Sequence, residues 1–163
     1  MQMCKNTEAL ARKCLVIVYS YHHNNTAKIA NEFSKILHAE IKSPEQVDLL
    51  ELKNYDLIGF GAGIDSGKHY KPLLKLVDRL PYDKQKASFI FSTSAVQGEK
   101  KVRNDHSLLR QKLESKGYKI VGEFSCKVFN TNSFIKYFGG MNKGRPKEDD
   151  IKNAEQIAVS LIK

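Results

Sequence analysis

The strongest constraint on this chain is a regular alternation of short apolar runs with segments of helical periodicity. Leu15-Val-Ile-Val-Tyr19 is continuous, β-branched and bounded by polar residues, the pattern of a strand buried on both faces. Asp56-Leu-Ile-Gly-Phe-Gly61, Ala87-Ser-Phe-Ile-Phe91 and Tyr118-Lys-Ile-Val-Gly-Glu-Phe124 predict three further strands, and Ala39–Ile41 a short one ended by Ser43-Pro44. Between them, Thr26–Leu37 sets Ile29, Ala30, Phe33, Ile36 and Leu37 at helical spacing. Tyr70–Leu80 does the same before Pro81, and Val102–Lys116 before Gly117. Lys147–Ile162 predicts a last helix, with Asp149 and Asp150 favouring its start through the helix dipole.

Strands separated by helices imply a parallel sheet covered on both faces. Five strands and about five helices in 163 residues fit an α/β doubly wound sheet of order 2-1-3-4-5. Residues 14–163 read as one domain and residues 1–13 as an N-terminal extension. The longest apolar run is far below the roughly 20 residues of a membrane span, and no secretory signal is visible. Three cysteines without Cys-x-x-Cys spacing exclude a disulfide scaffold, a zinc ribbon and dithiol chemistry. The expected compartment is the cytoplasm. Cys14 and Cys126 read as small core residues, one beginning the first strand and one following the last.

In such a sheet a ligand binds beyond the carboxyl ends of the strands, where the strand order reverses. The three segments leaving that point are Ser20–Asn25, Ala62–His69 and Ser92–Lys100, predicted here as loops. The first, Ser20-Tyr-His-His-Asn-Asn-Thr26, runs straight into a helix. Its hydroxyl, amide and imidazole donors, with backbone N–H groups, suit a phosphate dianion. Asn24, Asn25 and Thr26 equally suit the cap of a helix. No Gly-Lys-Ser/Thr ending and no GxGxxG motif is present, which disfavours a nucleoside-triphosphatase or a dinucleotide fold. His38, His69 and His106 read as surface histidines. No third ligand at metal-like spacing accompanies His22 and His23.

Tyr19-Ser-Tyr-His-His-Asn-Asn-Thr26 resembles the phosphate loop of the flavodoxin family, which commonly ends in Gly-Asn-Thr. Gly61-Ala-Gly-Ile-Asp-Ser-Gly-Lys-His-Tyr70 resembles that family's first flavin-contacting loop, and Ser92-Thr-Ser-Ala-Val-Gln-Gly98 the loop after its fourth strand. Gly139-Gly-Met-Asn-Lys-Gly-Arg-Pro146, with Glu148-Asp-Asp150 and Asn153-Ala154, is similar to a Lys-Gly-x-Pro ending frequent among flavodoxin-like proteins. The resemblance implies non-covalent binding of FMN and electron carriage, with no catalytic residue and no metal required. Ser20, His22, His23, Asn24, Asn25 and Thr26 would surround the phosphate. Gly61, Ala62, Gly63, Ile64, Ser66, Gly67 and Tyr70 would line one side of the ring, with Thr93, Ser94, Ala95 and Gly98 on the other. Gly63 and Gly67 are the candidates for a peptide that turns toward the flavin, because glycine tolerates either orientation.

Two features depart from that family. No aromatic lies between Ser92 and Lys101, so Ile64, Tyr70 or His69 must pack the ring, with Ala95 and Val96 opposite. Asn24 stands where the family often has Gly, and Asn tolerates left-handed backbone better than most residues. A ring open on one face admits a second expectation, an FMN-dependent reductase of a quinone or other small molecule. The charge is also unusual for the family's carriers, which are typically acidic. Lys and Arg number 27 against 18 Asp and Glu, a net charge of +9. Residues 1–80 carry 11 basic and 9 acidic side chains, residues 81–163 carry 16 and 9. The expected partner is therefore a redox protein with an acidic docking surface. Nucleic acid is disfavoured, since no aromatic-and-basic recognition motif is present, and so is membrane insertion.

Overall fold

A computed structural model describes residues 12–21, 24–95, 98–127 and 146–163. Its elements in chain order are β1 (Cys14–Tyr19), α1 (Asn25–Leu37), β2 (Glu40–Lys42), β3 (Leu57–Asp65), β4 (Lys68–His69) and α2 (Lys71–Asp78), then β5 (Ala87–Ser94), α3 (Glu99–Ser115), β6 (Lys119–Lys127) and α4 (Glu148–Leu161). Two 3₁₀ turns, Pro44–Gln46 and Leu52–Asn54, lie between β2 and β3. Strands β2, β1, β3, β5 and β6 pair in that order, all parallel, and β4 folds back antiparallel on β3. Setting aside the two-residue β4, this is the expected 2-1-3-4-5 order. Four α-helices are present among the described residues, where about five helices were expected.

Alternation along the strands sends side chains to two separate cores. Val16, Val18, Phe89, Phe91 and Phe124 meet Ile29, Phe33, Ala154 and Ala158 beneath α1 and α4. Leu15, Ile17, Ile58, Phe60 and Ile90 meet Leu73, Val77, Leu109 and Leu113 beneath α2 and α3. Phe33 is the centre of the first core, its ring 5.0 Å from Phe89 and 5.2 Å from Phe91. Cys14 and Cys126 belong to this core, as expected, although Cys126 lies inside β6 rather than after it. No helix among the described residues is long and apolar enough to cross a membrane.

Element boundaries differ from expectation where side-chain pairing extends them. β3 runs on to Asp65 and β5 to Ser94, so much of the two segments predicted as loops is strand. β6 continues to Lys127 because Ser92, Thr93 and Ser94 pair with Ser125, Cys126 and Lys127. α2 ends at Asp78, short of Leu80, and α3 begins at Glu99, before Val102. α4 opens as expected with acidic residues, and the Asp150 carboxylate accepts the Lys147 backbone N–H at 2.8 Å.

Two glycines set how closely β3 and β5 interlock. Gly59 lies opposite Phe89 and Gly61 opposite Phe91, and each ring occupies the place a side chain would take. A Cβ at Gly61 would stand 2.1 Å from the Phe91 ring, and one at Gly59 2.3 Å from Phe89. Gly61→Ala is therefore expected to lower stability by about 1–3 kcal/mol in urea denaturation. Adding Phe91→Leu should recover part of that loss, whereas independent effects would simply add.

Candidate functional site

At the carboxyl end of β1, Tyr19 lies beside Ala62 and Ala62 beside Ser92, and from there β3 runs on to Asp65 and β5 to Ser94. The chain leaves β1 at Ser20 and enters α1 through Asn24, whose φ of 51° and ψ of 26° are left-handed. This is the conformation that a glycine would adopt without strain, and Asn is among the few residues that tolerate it. The Ser20 hydroxyl accepts the Ala27 backbone N–H at 3.4 Å, bridging the turn. No acidic side chain stands in the first turn of α1. The positive end of a 13-residue helix therefore opens at the sheet edge without a competing carboxylate on that turn.

Asn25 and Thr26 are buried rather than presented to solvent. The Thr26 and Thr93 hydroxyls hydrogen-bond to each other at 2.7 Å, tying the start of α1 to the end of β5. What Thr26 offers a ligand is thus its backbone more than its hydroxyl. His22 and His23 lie outside the described residues, as do Val96, residues 1–11 of the extension and the segment 139–145.

The second segment is a β-hairpin. Ile64 pairs with His69 and Asp65 with Lys68, across a two-residue turn of Ser66 (φ 52°) and Gly67 (φ 78°). Both turn residues are left-handed, which matches the right-handed twist of the flanking strands. The expected loop is a hairpin because Asp-Ser-Gly-Lys supplies that turn. Gly61 and Ala62 are buried inside the sheet, Gly63 and Ile64 are half-buried, and Ser66 and Gly67 are exposed at the tip. A Cβ on Gly63 would approach the Tyr70 ring to 2.8 Å, and Tyr70 donates its backbone N–H to the Gly63 carbonyl. Tyr70 also meets Tyr19 edge-on at 5.8 Å and Tyr21 at 6.1 Å. Opposite, Thr93 and Ser94 are buried, Ala95 is half-buried and Gly98 is exposed at the entrance to α3. The structure thus brings the described members of all three segments to one edge.

His69 does not face that edge, contrary to its expected surface or ring-packing role. It is buried, with Nε2 3.1 Å from the Phe91 carbonyl. A carbonyl only accepts, so Nε2 carries the proton and Nδ1 has a lone pair. Nδ1 faces no hydrogen-bond partner among the described residues. Burial first, and then the neighbouring His106, push its pKa down to about 3, so the ring is neutral.

His106 is likewise not on the surface. It is fully buried, 5.1 Å ring to ring from His69, with Nε2 2.7 Å from the Ser92 hydroxyl and Nδ1 3.1 Å from the Glu123 carboxylate. Ser92 also bonds Ser125 at 2.9 Å, and Arg110 grips Glu123 through two bonds of 2.6 and 2.8 Å. Burial would raise the Glu123 pKa, but the bonds from His106 and Arg110 prevail and hold it at about 2. This polar cluster was not anticipated from the sequence. A signal existed: His106 shares the helical stripe of Leu109 and Leu113, with Arg110 one turn on. Among the described residues no group of three or more His, Cys, Asp or Glu is placed to hold a metal ion.

With this geometry in place, the comparisons fix the class. The profile described as "Flavodoxin domain" matches residues 16–133. The chain belongs to the flavodoxin family. It is 46% identical over 151 residues to an uncharacterized protein of Methanocaldococcus jannaschii, covering 93% of this chain and 99% of that one. Among solved structures it resembles a flavodoxin from the domain Archaea (18% identity, 91% of this chain and 95% of that one, TM-score 0.65). It also resembles oxidised Flavodoxin 2 from Bacillus cereus (16%, 92% and 97%, 0.70). A third is a flavoprotein in complex with FMN from Lactobacillus acidophilus (20%, 71% and 93%, 0.57). At these identities the structural likeness is one of fold.

The neutral His69 has a pH signature. In the unfolded chain its imidazole titrates near 6.5, in the fold near 3. Between those values the unfolded chain binds a proton that the fold excludes. Stability from this site is therefore complete above pH 6.5 and falls, with falling pH, by about 1.4 kcal/mol per unit. Urea denaturation of the wild type and His69→Gln at pH 7 and pH 5 should show the wild-type advantage shrinking by about 2 kcal/mol. An advantage independent of pH would mean that His69 is not held neutral.

Proposed function

We propose that the chain binds FMN non-covalently at this edge and carries electrons between partner proteins. The observation that carries the reading is the convergence of the Ser20–Thr26 turn, the Ile64–His69 hairpin and the end of β5, tied by the Thr26–Thr93 bond. Family membership and the fold-level likeness to an FMN-bound flavoprotein support it. The residues fit the group. A helix start without acidic residues, lined by Ser20 and Asn24, suits a phosphate, and the small residues Gly63, Gly67 and Ala95 beside it suit the approach of a planar ring.

Ser20, Asn24 and the backbone N–H groups of Asn25 and Thr26 would hold the phosphate, with His22 and His23 as further donors. Gly63, Ile64, Ser66 and Gly67 would lie along one side of the ring, and Thr93, Ser94, Ala95 and Gly98 along the other. Tyr70 supports Gly63 from behind, keeping that stretch of backbone clear of side chains. When bound, FMN supplies one- and two-electron redox chemistry, and the protein need only orient the ring and limit its access to water.

Basic side chains line the same end of the sheet. Lys68 at the hairpin, Lys71 at the start of α2 and Lys100 in the first turn of α3 are all exposed. They would meet an acidic partner surface. The absence of an aromatic from Ser92 to Lys101 favours one second reading, a reductase that admits a quinone or other small molecule to the open face. Turnover of a nicotinamide cofactor with a quinone would select that reading over carriage.

Titration of apoprotein with FMN should give a bound-flavin absorption spectrum at micromolar concentration, and failure to do so would overturn the proposal. Ser20→Ala should weaken FMN about tenfold while leaving riboflavin, which lacks the phosphate, unchanged. Equal losses for both ligands would move the phosphate elsewhere. Electron transfer to an acidic acceptor protein should slow as salt rises from 0.05 to about 0.5 M, and salt-independent rates would reject charge-guided docking.

A further inference from the structure

Among the described residues a buried polar cluster lies behind the hairpin assigned to the ring. It contains two imidazoles, one carboxylate and one guanidinium, and its members are not equivalent. His69 roofs the cluster from β4, Ser92 lies beneath on β5, Glu123 and Ser125 stand on β6, and His106 and Arg110 come from α3. The Lys101–Asp105 ion pair borders it on the preceding turn of α3, with Asp105 buried and close to Gly67 of the hairpin tip.

Hydrogen-bond chemistry separates the two imidazoles. His69 spends its one N–H on the Phe91 carbonyl, and a second proton on Nδ1 would face no acceptor among the described residues. His106 is built differently. Its Nδ1 lies against the Glu123 carboxylate and its Nε2 against the Ser92 oxygen. Ser92 already donates its hydroxyl proton to Ser125, 2.9 Å away. Each ring nitrogen therefore faces an acceptor, so a second proton on His106 is matched by a hydrogen bond at both Nδ1 and Nε2.

Charge balance says when that proton is wanted. Arg110 already neutralises Glu123, and Lys101 neutralises Asp105, so with both imidazoles neutral the cluster carries no net charge. A further positive charge buried there is unfavourable unless negative charge arrives nearby. We propose that His106 is a proton-holding residue coupled to reduction of the flavin: buried between Ser92 and Glu123 behind the hairpin, it takes a proton when the ring gains negative charge. This rests on the FMN reading. Two electrons from a low-potential donor and one solvent proton leave the ring with one added negative charge. A second solvent proton then goes to His106 Nε2, and reoxidation returns it.

The test has three readings. First, apoprotein plus FMN must give the bound-flavin spectrum; its absence removes the FMN reading and this proposal with it. Second, NMR titration of the imidazole C–H signals in wild-type holoprotein, oxidised and then dithionite-reduced, follows His106 directly, with His106→Gln assigning its signal. The His106 titration should rise by on the order of one pH unit on reduction. Third, the midpoint potential of the bound flavin should change its slope with pH across that interval in the wild type but not in His106→Gln. Glu123→Gln, which keeps the side-chain shape but removes the charge, should move the bend to lower pH. A bound flavin with an unmoved His106 titration, or a wild-type pH profile persisting in His106→Gln, would overturn the proposal while leaving FMN binding intact. Should His106→Gln fail to fold, the wild-type titration and Glu123→Gln still decide the matter.

Discussion

Across the central strand pair, the rings of Phe89 and Phe91 fill the space that side chains at Gly59 and Gly61 would occupy. Phe33 of α1 lies over both rings, so the interlock is pressed shut by the helix that begins at the site. A one-residue slip of β5 would send both rings to the opposite face and set bulk against bulk. The register is therefore held by shape as well as by the hydrogen-bond ladder. Because β1 pairs with the same stretch of β3, with Val16 beside Gly59 and Val18 beside Gly61, one interlock sets the level of three strand ends. Everything assigned to the ligand edge hangs from that level.

The sheet and its helices were legible because their signals are periodic and redundant. Leu15–Tyr19 and Ala87–Phe91 have no other way to bury their side chains, and the helical stripes between them leave few topologies. The tight hairpin was harder to see. Asp-Ser-Gly-Lys reads equally as a flexible loop, and only the pairing of Ile64 with His69 makes it a strand extension. His106 was misplaced for a related reason. A charged-looking residue on a polar helix suggests solvent, and its burial depends on Ser92 and Glu123, which are 14 and 17 residues away. Long-range polar pairing leaves almost no local trace in a sequence.

The two faces of the sheet handle their upper ends differently. On the α1 side the core stays apolar up to Phe91 and closes with the Thr26–Thr93 bond. On the α3 side it turns polar immediately above Ile90, with Ser92, His106, Glu123 and Arg110 joined in one network. Burying such groups costs more than burying hydrocarbon, and a network of this kind is tolerable only when nearly every atom is paired. Among the described residues two buried polar atoms lack a partner, Nδ1 of His69 on the hairpin and the Tyr118 hydroxyl just before β6.

The basic side chains near the ligand edge form two groups that act by different physics. Arg110, paired with Glu123 of β6, helps hold α3 to the sheet, and Lys101 pairs with Asp105 within α3, both at distances where salt screens little. Lys68, Lys71 and Lys100 are exposed at the edge, where their field reaches across solvent and salt screens it strongly. In the proposed reading a partner would sense the second group, and a bound ring would lie across the hairpin from the first. High salt would weaken docking and leave the buried cluster's balance nearly untouched. In the proposed reading, partner recognition and the local environment of the ring would be governed by separate charges.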